Sequence, residues 1–250
     1  MTPMPMPLPL PILILHTGDP DAGLASHHGS YAEMIRRAAG LARSEVHVVA
    51  VHEGQSPEAP SRYRAALITG SPAMVTDHED WSEACALWLR SAAEAGLPMF
   101  GICYGHQLLA HALGGRVDYN PAGRELGTHE ITLSAAAQDD PVTAGLPQRL
   151  PAQMMHAQSV ITPPGGSIVL ASSPMDAHQM LRLRPGVYST QFHPEFQADF
   201  VRDHILHHGD AYAREGLDTA ALSAGVSATP QACGLLARFV AHYAASQRTA

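Results

Sequence analysis

The chain is poor in the features that mark several large protein classes. It has three cysteines, Cys85, Cys103 and Cys233, an odd and sparse set that offers no disulfide framework. Lys and Arg number 15 against 23 Asp and Glu, for a formal net charge of -8. With no basic patch in sight, nucleic acid is not expected as a partner. No apolar run approaches the roughly 20 residues of a spanning helix, so no membrane is expected either. The opening MTPMPMPLPLP has no basic start and is broken by prolines, so it does not read as a secretory leader. The expected location is therefore the cytoplasm, and the first ten residues are expected to be mobile. No GxxxxGKS/T occurs, and TGSP at 69–72 is too short to cradle phosphates, so no ATP site is expected. There is no HExxH and no paired cysteine set among the 16 histidines. His204 and His208 stand one helical turn apart, a spacing that can hold a metal. Together with His207 and the pair His27 and His28, they read as surface residues, and no metal or other cofactor is expected.

What is present is an alternation of strands and helices. PILILH (11–16) is a continuous apolar run of the kind found in parallel strands buried on both faces. A helix is expected over 29–42, strands over 45–51 and 66–69, and a helix over 80–96 that ends at a glycine before Pro98. PMFGI (98–102) is the next strand. HEITLS, SIVLAS, HQMLRL and VYSTQF then follow as a meander of strands. The succession predicts an α/β fold with a doubly wound, mostly parallel open sheet flanked by helices and extended by an antiparallel part. Ligands of such sheets bind at the carboxyl ends of strands. Residues 201–250 read as a helical C-terminal extension on the same domain. Its helices are expected over 200–216, 218–225 and 230–245, the last with an apolar face at Leu235, Leu236, Phe239, Val240 and Tyr243 that packs back on the sheet. Cys85 and Cys233 sit in helical runs and read as packing residues.

Two segments carry chemistry. In GICYGHQLLA (101–110), Cys103 sits between Gly101 and Gly105 at a tight turn from strand to helix. Glycines relieve the crowding at such a turn, and the N-terminus of a helix favours a thiolate. In YSTQFHPEF (188–196), a strand ends in His193, Pro194 and Glu195. A thiol nucleophile needs a base, and the base needs a group that fixes its tautomer and orientation. Cys103, His193 and Glu195 thus form a candidate triad.

These two segments resemble the signatures of class I, triad-type glutamine amidotransferases. ALITGSPAMV (66–75) resembles that family's oxyanion strand-loop. GRELG (123–127) and HAQSVITPPGG (156–166) resemble segments of its GMP-synthase-type members, the latter as a histidine-containing loop followed by a turn. The resemblance runs in order through residues 11–200 and is strongest to the stand-alone, GMP-synthase-like type, with a flavodoxin-like sheet. It implies an enzyme that hydrolyses the side-chain amide of L-glutamine through a γ-glutamyl thioester on Cys103. Backbone N–H groups of Gly70, Ser71 and Tyr104 would form the oxyanion hole. Gln107 and the backbone of His156, Ala157 and Gln158 would receive the substrate. No metal is implied.

Two positions depart from the family pattern. Ser71 stands where a second glycine is usual, which would strain the loop if a positive φ were required. Gln158 stands where an acidic residue is common, so an interdomain role for that position is not carried over. The resemblance also implies a partner, an ammonia-accepting synthase subunit. A γ-glutamyl hydrolase or peptidase would use the same chemistry on a different leaving amine. A non-catalytic regulatory partner would not need the intact triad.

Overall fold

The computed structural model describes residues 10–244. The mobility expected at the N-terminus falls on residues 1–9, outside the described part, as does position 245 of the last helix expected.

The first half of the chain alternates as its apolar pattern dictates: β1 (Ile12–His16), α1 (Ala22–His28), α2 (Tyr31–Ala38), β2 (Val46–Ala50), β3 (Ala65–Ile68), α3 (Asp80–Glu94), β4 (Met99–Ile102) and α4 (Tyr104–Ala112). The second half is strand-rich: β5 (Arg116–Tyr119), β6 (Glu125–Leu133), β7 (Arg149–His156), β8 (Gln158–Thr162), β9 (Ile168–Ser172), β10 (Met180–Arg184) and β11 (Val187–Thr190). Short helices follow: α5 (Ala198–His207), α6 (Gly209–Arg214), α7 (Thr219–Gly225), α8 (Pro230–Cys233) and α9 (Leu235–Phe239).

Among the described residues the main sheet runs β2-β1-β3-β4-β11-β10-β9-β6-β7. From β2 to β11 the neighbours are parallel, and from β11 onward they are antiparallel. This is the expected doubly wound sheet with its antiparallel part. The chain leaves β4 for α4, wanders through β5–β10, and returns as β11 against β4. That return, with Thr190 opposite Ile102, carries His193 to the end of the strand that bears Cys103.

Period-two alternation sorts the core. Ile12 and Ile14 face Ile35 of α2, Phe100, Tyr188 and Phe239 of α9. Leu13 and Leu15 face Leu89 of α3 and Leu108 of α4 on the other side. Leu235, Leu236 and Phe239 are buried, and the Phe239 ring lies 5.4 Å from Phe100, so the expected apolar face does pack on the sheet. In α3, Ser82, Cys85, Ala86, Leu89 and Ala92 are the buried positions, the stripe of an amphipathic helix.

Four local expectations differ. The helix expected over 230–245 is interrupted at Gly234 between α8 and α9, and its described end, Val240–Ala244, is a π-helix. The helix expected over 29–42 is α2, from Tyr31 to Ala38 with Ser30 as its N-cap, whose side chain accepts the N–H of Glu33. It stops where Gly40 takes φ 68°, the left-handed conformation common after helices. The helix expected over 200–216 is broken in two at His208, whose φ of -98° and ψ of 13° lie outside the α basin. The loop expected after His156 is a strand, β8, which pairs with β5 in a separate ribbon. Only Ala157 lies between β7 and β8. The β-branched run SVIT gave the strand its propensity, and the edge offered by β5 gave it a partner.

Candidate active site

Cys103 stands at the elbow between β4 and α4, with φ 52° and ψ -103°. A non-glycine residue there is strained, and the surroundings must hold it. They do so by leaving no room: a Cβ on Gly105 would come within 2.7 Å of the Ile68 carbonyl oxygen. The backbone is also pinned, with Cys103 N–H donating to Thr190 O at 2.8 Å and Gly105 N–H to Thr69 O at 3.2 Å. Cys103 therefore sits one residue before the first turn of α4, where backbone N–H groups have no intrahelical partner.

His193 and Glu195 meet as expected. His193 Nδ1 donates to Glu195 Oε1 at 2.8 Å, with both side chains buried. This bond fixes the tautomer and leaves Nε2 for the thiol, and Nε2 has no other hydrogen-bond partner. Burial opposes a charge on His193. The Glu195 carboxylate and the Cys103 sulfur outweigh it, and the pKa is raised to about 10. A ring in this setting carries its second proton at neutral pH, the state that can be handed to a leaving amine. Phe196 stacks flat on His193, with centroids 4.0 Å apart and planes 5° from parallel. Phe196 is itself held by Phe200 and Tyr31. Its part was not assigned from the sequence, although its place three residues after the histidine, in an otherwise polar motif, was the available signal.

The loop expected to supply the oxyanion hole is fastened from outside its own motif. Thr17 Oγ1 donates within a cluster formed by Thr69 Oγ1 at 2.9 Å and Gly70 O at 2.9 Å. Ser71 Oγ donates to Thr17 O at 2.7 Å. Ser71 is not among the residues with positive φ, so serine is accommodated without strain and its hydroxyl helps hold the loop. Gly70 lies close under the catalytic-candidate ring: a Cβ there would meet His193 Cε1 at 3.2 Å, a tight contact. The side chain of Tyr104 turns inward, bonding Ser82 Oγ at 2.6 Å, so only its backbone is available toward Cys103.

The remaining expected residues gather beside them. The Gln107 amide nitrogen donates to Gln158 O at 2.9 Å and to Gln191 Oε1 at 3.0 Å. His156 turns its ring away into a buried pair. Its Nδ1 lies 3.0 Å from Gln158 O and its Nε2 3.0 Å from Glu125 Oε2. Burial would raise the Glu125 pKa, but the His156 contact prevails and lowers it. The His156–Gln158 junction is thus braced from behind by Glu125, Ser173 and Gln179. The Gln158 side chain donates to Thr76 Oγ1 at 2.6 Å.

Of the site residues expected from the sequence, all except Glu195 line one cavity of about 310 Å³. Its outer wall comes from residues that the sequence did not place in the site. Arg124, at the start of the GRELG segment, grips Glu215 through Nε at 2.7 Å and through a terminal nitrogen at 3.1 Å, and lies over the Tyr212 ring at 5.4 Å. His204 and His208 stand beside them. His204, read from the sequence as a surface residue, is instead buried, because its ring packs against Tyr212 and its Nε2 lies 2.7 Å from the Tyr212 hydroxyl; burial lowers its pKa to about 3, which keeps this ring neutral. No signal in the segment DAYAREG marked it as a wall of the cavity.

A strained cysteine thus stands at a strand-to-helix elbow of an open α/β sheet, on the same cavity as a histidine that a carboxylate orients. The family model for glutamine amidotransferase class-I matches residues 24–209, and the chain belongs to that family. Its curated relatives include the GMP synthase (glutamine-hydrolyzing) of Thermomicrobium roseum, 36% identical over 177 residues that make up 70% of this chain and 32% of the relative. The separate glutamine-hydrolyzing GMP synthase subunit of Saccharolobus solfataricus is 30% identical over 176 residues, 69% of this chain and 88% of that relative. The chain spans about a third of the length of the first group of relatives. Among solved structures, a glutamine amidotransferase from Thermotoga maritima superposes with a TM-score of 0.71 at 17% identity, covering 92% of this chain and 96% of that one. A second, from Methylobacillus flagellatus, gives 0.68 at 19% identity, covering 94% and 95%. These likenesses show the fold. No described helix is long and apolar enough to cross a membrane.

Proposed function

We propose that this protein hydrolyses the side-chain amide of L-glutamine to glutamate and ammonia, with Cys103, His193 and Glu195 as its triad. The observation that carries this reading is the convergence of the strained Cys103 and the buried His193–Glu195 pair on one cavity. The Cys103 thiolate attacks the amide carbon and forms the C–S bond, while the carbonyl electrons move to oxygen. Backbone N–H groups of Gly70, Ser71 and Tyr104 stabilise that oxyanion. As the C–N bond breaks, the His193 imidazolium gives its Nε2 proton to the leaving ammonia. Water then yields a proton to His193 and attacks the γ-glutamyl thioester. The C–S bond breaks, glutamate leaves, and the thiolate–imidazolium pair is restored. Gln107 and the His156–Ala157–Gln158 junction hold the α-amino and α-carboxylate groups. In this reading, residues 11–200 form the amidotransferase unit and 201–250 an extension, whose described part, 201–244, is helical and packs on it.

The names of the relatives support a partner of the ammonia-accepting synthase type. One feature favours a second reading. The tail carries the cavity outward to Arg124, Tyr212 and Glu215, room that a leaving amine larger than ammonia could use, as in a γ-glutamyl hydrolase. The test is ammonia release from the purified protein with L-glutamine, run beside a γ-glutamyl dipeptide and beside Cys103→Ala. Glutamine turnover that depends on Cys103 supports the first reading, and turnover of the dipeptide alone replaces it with the second. Silence on both, with and without a co-purifying partner, removes the catalytic assignment.

A further inference from the structure

Four groups of His, Asp and Glu bring their ligand atoms within 4.8 Å of one another among the described residues. In three of them, at least two members already share an ordinary hydrogen bond, while His52 and Asp176 stand beside theirs without one to the group's carboxylate. His16 bonds Asp19 at 3.1 Å. Glu83 Oε1 accepts from His78 at 2.8 Å and from His111 at 3.0 Å. Glu125 accepts from His156, Ser173 and Gln179 in the buried brace already described.

The fourth group differs. His207 Nε2 and His208 Nε2 each lie 3.2 Å from the same oxygen, Oδ2 of Asp21, and neither approach is aligned as a hydrogen bond. Two ring nitrogens thus crowd one carboxylate oxygen at ion-pair distance.

We propose that Asp21, His207 and His208 form a divalent transition-metal site of the zinc type at the rim of the cavity. Zinc bonds of about 2.0–2.2 Å to nitrogen and oxygen set tetrahedral edges of about 3.3–3.5 Å, close to the two separations of 3.2 Å. Consecutive residues in a regular helix point about 100° apart and could not share an ion readily. The break between α5 and α6 falls at His208, and it lets both rings reach Asp21 just before α1. Side-chain exposures of 55%, 46% and 31% for Asp21, His207 and His208 leave the site open to an ion from solvent and to a water as fourth ligand. Asp21 and His208 also line the cavity that holds Cys103. A bound ion ties the segment before α1 to the outer wall and governs entry.

The test titrates Zn²⁺ alone into Cys103→Ala protein by calorimetry, because the catalytic thiol and His193 could bind zinc themselves. One equivalent should bind, and Asp21→Asn, His207→Ala and His208→Ala should each weaken it by at least about tenfold. Thermal unfolding of the metal-free variants checks that each is folded, and Asp21→Asn keeps the side-chain volume. Co²⁺ in place of Zn²⁺ should give tetrahedral d–d bands without thiolate-to-cobalt charge transfer. Failure of Cys103→Ala to bind, affinity unchanged by Asp21→Asn and His207→Ala, or a thiolate band would each overturn the proposal and leave the cluster an ion pair only.

Discussion

The cavity has an inner end and an outer end, and they are built by different means. At the inner end the backbone does the positioning. Cys103 is held at φ 52°, Gly105 admits no Cβ and one on Gly70 would crowd the His193 ring, and the N–H groups of Cys103 and His193 are tied to Thr190 O and Gln153 O. At the outer end side chains do it. Arg124 reaches Glu215 across 91 residues of sequence, and His207 and His208 reach back to Asp21. Backbone positioning tolerates little substitution because a misplaced main-chain atom has nowhere to go. Exposed ion pairs contribute only about 0–1 kcal/mol each and adjust readily. The inner end is thus suited to chemistry and the outer end to selecting or gating what reaches it.

The largest effect that would sharpen this contrast is at Cys103. Cys103→Ala should reduce ammonia release by at least about 10⁴-fold with thermal stability kept. Substantial turnover in a folded variant would take the nucleophile out of the inner end. His193→Ala should come next, with Glu195→Gln losing less because that carboxylate orients and does not transfer the proton. Equal losses would mean that Glu195 does more than orient.

Glu195→Gln also has a signed pH consequence. Burial pushes the His193 pKa down, and Glu195 is the first of the groups that raise it. Removing that charge lowers the pKa, so the imidazolium disappears at lower pH. The alkaline limb of the kcat profile should move down by at least about one pH unit. A limb that stays put would assign it to another group.

Gly105→Ala tests the backbone argument through stability. Its Cβ would lie 2.7 Å from a main-chain oxygen, and such overpacking costs about 1–3 kcal/mol, readable as a lower denaturant midpoint. An unchanged midpoint would show that the elbow has slack. The smallest effect belongs to the outer end. Arg124→Gln should raise KM for a γ-glutamyl dipeptide by up to about fivefold, the worth of an exposed ion pair, with kcat unchanged. A fall in kcat instead would carry Arg124 into the chemistry and blur the two ends.

Much of the inner end was legible in the sequence. Gly101-Ile102-Cys103-Tyr104-Gly105 is a local code, since a nucleophile on a tight turn needs neighbours without Cβ, and those neighbours are two residues away. His193 and Glu195 are two residues apart, close enough for one bend to aim them together. Phe196 was visible and its stacking was not, because a ring three residues on can point to either side. The Thr17–Thr69 fastening and the Glu125–His156 brace, 52 and 31 residues apart, left no local mark. Nor did the strand character of β8, which depends on having β5 beside it.

By itself, then, the sequence determined what is settled within a few residues: the apolar runs that become buried strands, the stripe that buries α3, and the strained elbow with its candidate nucleophile. The tertiary structure alone decided which distant segments share the cavity. Periodicity and glycine placement act over one or two turns of chain, whereas the outer wall exists only after the sheet order has returned β11 to β4 and the broken helix at His208 has folded back over the open end.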